Sequence, residues 1–315
     1  MITTLTPNPC IDKTVAVEKF DIYKMNRVRV LRTDACGKGI NVSLALNGLG
    51  VETMTIGFDF TDGHASPLKQ SMAAHNIPYE FIDVPGQLRV CTKIFDESLK
   101  HTIEVNEYGA PVSAEAGEKL LRLVVDVAKK SDFITLSGSL PKGLDSDFYF
   151  RCAQAVKHEA PNCKVVVDAE KQLLLKALEA SPFFIKPNIH EFQGTFNCQI
   201  NNIEELDKAA QDIIRRYGLG LICISMGADG AYIGSLDGAY TCNAVQVDVR
   251  SIQGAGDSMV AGICTAVQRS LPLPDILRYG VTASGASISR EGSQMCTLED
   301  FQALLTQDIN IRKVR

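Results

Sequence analysis

Two short runs in which every residue is apolar, Val165-Val166-Val167 and Leu221-Ile222-Cys223-Ile224, constrain this chain most. A strand with one wet face alternates apolar and polar residues. A strand apolar at every position needs cover on both faces, as in a parallel sheet held between two layers of helices. The pattern around them agrees: a helix over 114–130, a strand over 133–137, a helix over 147–159, a strand over 164–168, a helix over 171–180 and a strand over 183–185. This alternation predicts an α/β domain. With 315 residues and 45% hydrophobic content the chain can bury a large core, and we expect one main domain with a small appendage.

Two segments break the alternation, about 10–33 and 89–106, each with β-branched and apolar residues at alternating positions and no helix between them. They are expected to pair as a small separate sheet, and a lid or an ordinary edge sheet would both give the pattern. Toward the C-terminus, Asp237-Gly238 between strands over 231–235 and 239–243 signals a hairpin. Helices are expected over 256–269, 274–289 and 298–305.

The charge balance excludes some functions. The 32 basic and 37 acidic residues give a net charge of -5, so no field draws nucleic acid or an anionic membrane. Ten cysteines contain no Cys-X-X-Cys pair and no regular histidine spacing, which suggests neither a zinc site nor a disulfide framework. They read as reduced, mostly buried thiols of a cytoplasmic protein. No leader pattern and no apolar run of about 18 residues is present.

The candidate chemistry begins at Gly254-Ala255-Gly256-Asp257-Ser258, a glycine-rich turn that runs into the apolar stretch 259–267. Such a turn offers unpaired backbone NH groups to a phosphate at a helix N-terminus and places a carboxylate beside them as a candidate proton acceptor. The helix terminus is expected to favour the ionised form of Asp257. Read alone, the glycines make a tight turn and the acid caps a helix. Three further segments weigh against that plainer reading. In 35–42, Gly37 and Gly39 let the chain approach a ligand, Lys38 offers a charge, and a helix is expected from Asn41. In Lys186-Pro187-Asn188-Ile189-His190-Glu191, Asn188 and Glu191 stand three apart, suited either to the water shell of a magnesium ion or to a capping box. Finally, Ser225 to Ala231, with Gly227 and Gly230, follows a buried strand. That loop, Asp168 and Asn188 would border one crevice at the carboxyl ends of the sheet strands.

These motifs resemble the ribokinase-like (PfkB) carbohydrate kinases, in particular the branch of 1-phosphofructokinases and tagatose-6-phosphate kinases. Residues 6–12, Thr-Pro-Asn-Pro-Cys-Ile-Asp, are similar to the branch's Thr-Leu-Asn-Pro-Ala-Ile-Asp, and Asn26-Arg27 to its Asn-Arg. Residues 35–41 resemble its Ala-Gly-Gly-Lys-Gly-Ile-Asn, and 254–262 match Gly-Ala-Gly-Asp-Ser-Met-Val-Ala-Gly. The likeness spans nearly the whole chain, so 1–315 is read as one ribokinase-like kinase domain, a three-layer αβα unit with a small β-sheet lid.

The resemblance implies magnesium-dependent transfer of phosphate from ATP to a sugar phosphate, and a homodimer formed through the lid. It casts Asp257 as general base, with Gly254, Ala255 and Gly256 steadying the transferred group. Asp12 and Asn41 would hold sugar hydroxyls in the Gly37 turn. Asn188 and Glu191 would place the metal through water. Asp168, Lys186, Ser225, Gly227 and Gly230 would line the nucleotide side. Arg27, Lys38 and Arg89 are expected to converge on a substrate phosphate. Fructose 1-phosphate is the first acceptor, with tagatose 6-phosphate or fructose 6-phosphate next; a non-catalytic sugar-phosphate sensor and a nucleoside kinase are the other readings. Cys36, where the branch has glycine, would strain the turn if that position requires a positive φ. Ile252-Gln253 and Pro7 also depart from the pattern.

Overall fold

In the computed structural model, which describes residues 1–61 and 66–315, both apolar runs lie inside a ten-stranded sheet. The first third of the chain forms β1 (Ile2–Thr6), β2 (Cys10–Val17), β3 (Arg29–Cys36), α1 (Lys38–Gly48), β4 (Thr53–Phe60), α2 (Pro67–Ala74), β5 (Tyr79–Val84), β6 (Arg89–Asp96) and β7 (His101–Asn106). Helices and strands then alternate through α3 (Ala114–Ala128), β8 (Phe133–Ser137), α4 (Phe148–Glu159), β9 (Lys164–Asp168), α5 (Lys171–Leu178), β10 (Phe184–Ile185), α6 (Ile189–Phe196), α7 (Ile203–Tyr217) and β11 (Leu221–Ser225). The chain closes with β12 (Ala231–Ser235), β13 (Gly238–Cys242), α8 (Ala255–Gln268), α9 (Leu273–Ile288), α10 (Leu298–Leu305) and β14 (Arg312–Lys313).

The large sheet has the order β14-β13-β12-β11-β10-β9-β8-β1-β4-β5, and its strands from β11 to β5 are parallel. The strands sort their side chains into two cores by strict alternation. Ile134, Leu136, Val165, Val167, Ile185, Ile222 and Ile224 pack with α3 to α7 on one face. Phe133, Val166, Phe184, Leu221 and Cys223 pack with α1, α8, α9 and α10 on the other. This is the three-layer α/β arrangement expected from the uninterrupted apolar runs. Each fully buried valine or isoleucine contributes about 1.5–3 kcal/mol, so a charge in any of these strands would break the fold.

Strand order reverses around β1: β4 and β5 lie to one side of it, β8 to β11 to the other. The carboxyl ends of β1 and β8 therefore flank a crevice of the kind that receives ligands in open α/β sheets. Asn8 Nδ2 donates to Ser139 Oγ across this gap at 3.2 Å. Beside it stands a second sheet of order β3-β2-β6-β7, built from both segments that broke the alternation. Strand β3 carries this sheet three residues beyond the expected limit at 33 and delivers the chain directly to the Gly37 turn.

Two local expectations are corrected. Ser235 pairs with Gly238, so the β12–β13 turn is Leu236-Asp237 and Gly238 is already in the strand. Helix α1 begins at Lys38, not at Asn41, because Gly37 serves as its N-cap with φ 154. A side chain at Gly37 would come within 2.5 Å of Thr6 Cγ2, so glycine is required there. Cys36 closes a regular strand without a positive φ, and its substitution for glycine carries no backbone strain.

Candidate active site

Helix α8 supplies the most constrained part of the site. It is buried over 257–266 and flanked by α1 and α9, while its first turn, Gly254 to Gly256, remains half open. Gly254 caps it at φ 70, a left-handed conformation that favours glycine, and a side chain there would collide with Met295. No side chain caps this terminus, and the first NH groups of a helix have no acceptor within it. The ammonium of Lys186, itself 5% exposed, stands over the turn: a Cβ added to Gly256 would lie 3.0 Å from Lys186 Nζ. Free NH donors, the positive end of a long buried helix and a buried cation together make a receptor for an anion.

Asp257 sits in that first turn at 7% exposure. Asn41 Nδ2 donates to its Oδ2 at 2.7 Å, which fixes the carboxylate and leaves Oδ1 for another partner. Burial, and then the nearby Asp168 charge, push its pKa up to about 6, against the opposing pull of Lys38, the Asn41 hydrogen bond and Lys186. The expectation that the helix terminus would simply hold Asp257 ionised is corrected, because desolvation outweighs it. A base with a pKa near the working pH is still mostly ionised at neutrality and accepts a proton more readily than an ordinary aspartate.

Asp168, at the end of β9 and 2% exposed, lies 3.4 Å from Lys38 Nζ and 3.8 Å from Lys186 Nζ. Burial raises its pKa, but the two ammonium groups more than offset that and hold the carboxyl below its ordinary value. Lys38 in turn is kept protonated chiefly by Asp168. Lys38 therefore belongs with Asp168, Lys186 and Asp257 at the sheet edge.

Lys38, Arg27 and Arg89, expected to converge on a substrate phosphate, have separate partners within the protein. Arg89 donates to the backbone oxygens of Asn8 at 3.0 Å and Glu107 at 3.3 Å. Arg27 is exposed on the β2–β3 connection with Met25 Sδ at 3.7 Å. The three cations share no partner. Neither Arg27 nor Arg89 pairs with a carboxylate among the described residues, and Arg89 Nε is buried without a partner.

Asp12 lies on β2, 4% exposed, and Lys93 Nζ meets its Oδ2 at 2.6 Å. Sequence reasoning missed Lys93. The available signal was period-2 spacing on β6, where Arg89, Cys91 and Lys93 share a face beside Cys10, Asp12 and Thr14 of β2. Asn188 and Glu191 form the capping box of α6: Glu191 N donates to Asn188 Oδ1 at 2.9 Å and Asn188 N to Glu191 Oε2 at 2.8 Å. Glu191 is also close enough for its charge to act on Lys38. Asn188 bridges to Ser225, which aligns the ends of β10 and β11. Gly227 is exposed with open space around it, whereas Gly230 is buried against the Cys242 carbonyl and serves packing.

A carboxylate tuned by burial, set beside an anion-receiving helix terminus at the reversal of a parallel sheet, defines a site for phosphoryl transfer. The chain belongs to the pfkB family of carbohydrate kinases, whose model matches residues 6–300. It is 33% identical over 311 residues to a 1-phosphofructokinase of Bacillus subtilis (strain 168), covering 98% of each chain. It is 30% identical over 270 residues, 85% of each chain, to a tagatose-6-phosphate kinase of Staphylococcus epidermidis. The fold is similar to that of phosphofructokinase-2 from Escherichia coli, with a TM-score of 0.88 at 23% identity over 96% of this chain and 97% of that one.

Proposed function

We propose that this chain transfers the γ-phosphate of ATP to a ketose phosphate, with fructose 1-phosphate as the preferred acceptor and fructose 1,6-bisphosphate as product. The observation that carries the reading is Asp257, fixed by Asn41 through Oδ2 and placed in the first turn of an uncapped, buried helix. Its free Oδ1 takes the proton of the acceptor hydroxyl as that oxygen bonds to the γ-phosphorus and the bond to the departing ADP breaks. The NH groups of Ala255, Gly256 and Asp257, with Lys186, hold the charge on the transferred group. The protein's part is positioning and electrostatics.

On the acceptor side, Asp12 and Asn41 meet sugar hydroxyls, Lys93 holds Asp12 in place, and Arg89 takes the phosphate. The unpartnered Arg89 Nε and the names of the relatives support a phosphorylated acceptor over a neutral sugar or a nucleoside. Arg27 is a second, more exposed candidate for the same phosphate. On the nucleotide side, Ser225 and the open turn at Gly227 have room for the base and ribose. The magnesium ion of the family fits the hard oxygen donors of Asp168, Asn188 and Glu191, of which the buried Asp168 Oδ2 has only the Lys38 ammonium, 3.4 Å away, beside it. When bound, it would neutralise charge on the nucleotide phosphates. The lid exposes Val28, Val30, Leu31 and Val105, and a second copy of the chain covering them makes the working unit a homodimer.

ADP formation with fructose 1-phosphate, tagatose 6-phosphate, fructose 6-phosphate and fructose in parallel tests the reading. Turnover of one ketose phosphate well above fructose supports it and names the acceptor. Equal turnover of fructose and its phosphates removes the role of Arg89. ATP-independent binding of a sugar phosphate without turnover would leave a sensor.

A further inference from the structure

Cysteine spacing along the sequence carries no metal motif, yet strand register gathers Cys10, Cys36 and Cys91 from three neighbouring strands of the lid. Cys10 stands opposite Cys36 in the antiparallel β2–β3 pair, and Asp12 opposite Cys91 in the parallel β2–β6 pair. The three thiols pack as one buried cluster with exposures of 4–6%. The ligand atoms of Cys10, Asp12 and Cys91 lie within 4.8 Å of one another. Cys10 Sγ is 3.6 Å from Asp12 Oδ1, while Lys93 occupies Asp12 Oδ2 and turns Oδ1 toward the sulfurs. Two of these cysteines stand where the resembling branch has alanine and glycine.

We propose that Cys10, Cys91 and Asp12, with Cys36 as fourth ligand, bind a thiophilic divalent cation such as Zn²⁺, and that its binding switches the neighbouring site off. Thiolates with one carboxylate suit a borderline-soft cation and disfavour magnesium. A tetrahedral ion with sulfur at about 2.3 Å has ligand–ligand edges of about 3.8 Å, so closure by up to about 1 Å brings Cys10, Asp12 and Cys91 onto it, and Cys36, which lies outside that trio but in the same thiol cluster, turns its sulfur in to complete the set. Ligation releases the thiol protons to solvent, with no oxidant or reductant involved. Lys93 and Arg89 compensate the negative charge of the thiolates and Asp12. Two connections lead to the reaction centre. Cys36 Sγ donates to Asn41 Oδ1 at 3.3 Å, and Asn41 in turn holds Asp257 at 2.7 Å; a metal-bound thiolate can no longer donate. Asp12, once a ligand, is withdrawn from any acceptor.

The full chain, reduced with a phosphine and freed of metal, is titrated with Cd²⁺ while the ultraviolet thiolate-to-cadmium charge-transfer band is read. We expect the band to saturate at one Cd²⁺ per chain. Cys91→Ala should weaken binding by at least about tenfold, the scale seen even for losing an outer partner of a ligand, and Cys198→Ser should leave it unchanged. Asp12→Asn is a second variant of nearly the same shape should Cys91→Ala fold poorly. Absence of the band at one equivalent, or an unchanged band in both Cys10→Ala and Cys91→Ala, overturns the site. The band is independent of the kinase reading, so the two can fail separately. In the active enzyme, Zn²⁺ should lower ATP turnover at least about tenfold in the wild type, reversibly with chelator. A band with undiminished turnover overturns the switch.

Discussion

The first turn of α8 and the four-stranded sheet meet at Asn41 but are held in different ways. The turn is over-determined: Gly254 is locked against Met295, Asp257 is tied to Asn41, and α8 is buried between two helices. That sheet is one layer thick, with several apolar residues exposed to solvent. Its buried charges beside the site, Asp12 and Lys93, hold each other. The proposed function puts the chemistry, which tolerates little displacement, on the packed layers and acceptor recognition on the thinner element.

The largest effect that would break this comparison is on kcat. Asp257→Asn keeps the Asn41 contact and should lower kcat by about 10²–10⁴-fold, the range for a general base, with a normal circular dichroism spectrum. The same variant sharpens the stability side. A carboxyl whose pKa is raised on folding stabilises the protein fully below its unfolded pKa, and that contribution is lost as pH rises through about 6. Thermal unfolding at pH 8 should therefore show Asp257→Asn as more stable than the wild type by on the order of 1 kcal/mol. A variant that is both inactive and less stable would mean that Asp257 serves the fold.

In the four-stranded sheet, Lys93→Met leaves Asp12 buried and unpaired and should cost about 3–5 kcal/mol in denaturant unfolding. A cost below about 1 kcal/mol would show that the pair is effectively in water. Arg89→Ala should raise KM for the sugar phosphate by about 10–100-fold, the worth of a charged hydrogen bond, and change KM for ATP little. An unchanged KM would move the phosphate away from the lid. The smallest effect is on stability at Arg27: as an exposed cation without an ion pair, Arg27→Ala should shift unfolding by less than about 0.5 kcal/mol.

The layered core was legible because its signals are local. Apolar runs of three or four residues mark β9 and β11 with their cover on both faces, and β8, β9 and α10 fall where their periodicity places them. The Gly254–Asp257 turn was legible because glycines and acid adjoin in sequence. What stayed hidden depends on register between distant strands. Lys93 meets Asp12 from 81 residues away, and the thiol cluster joins Cys10, Cys36 and Cys91 only once β2 pairs with both β3 and β6. The pairing of Lys38 with Asp168 was hidden for the same reason: Asp168 ends a strand that pairs with β8, far along the chain. The pKa of Asp257 was also out of reach, since burial by α1 and α9 sets it.

The pH dependence of kcat/KM for the wild type tests the central claim most directly, with ATP, magnesium and the preferred ketose phosphate. The account predicts an acid limb with a midpoint near pH 6, falling tenfold per unit below it as Asp257 is protonated. A profile flat down to pH 4.5, or an acid limb unchanged in the residual activity of Asp257→Asn, would contradict it.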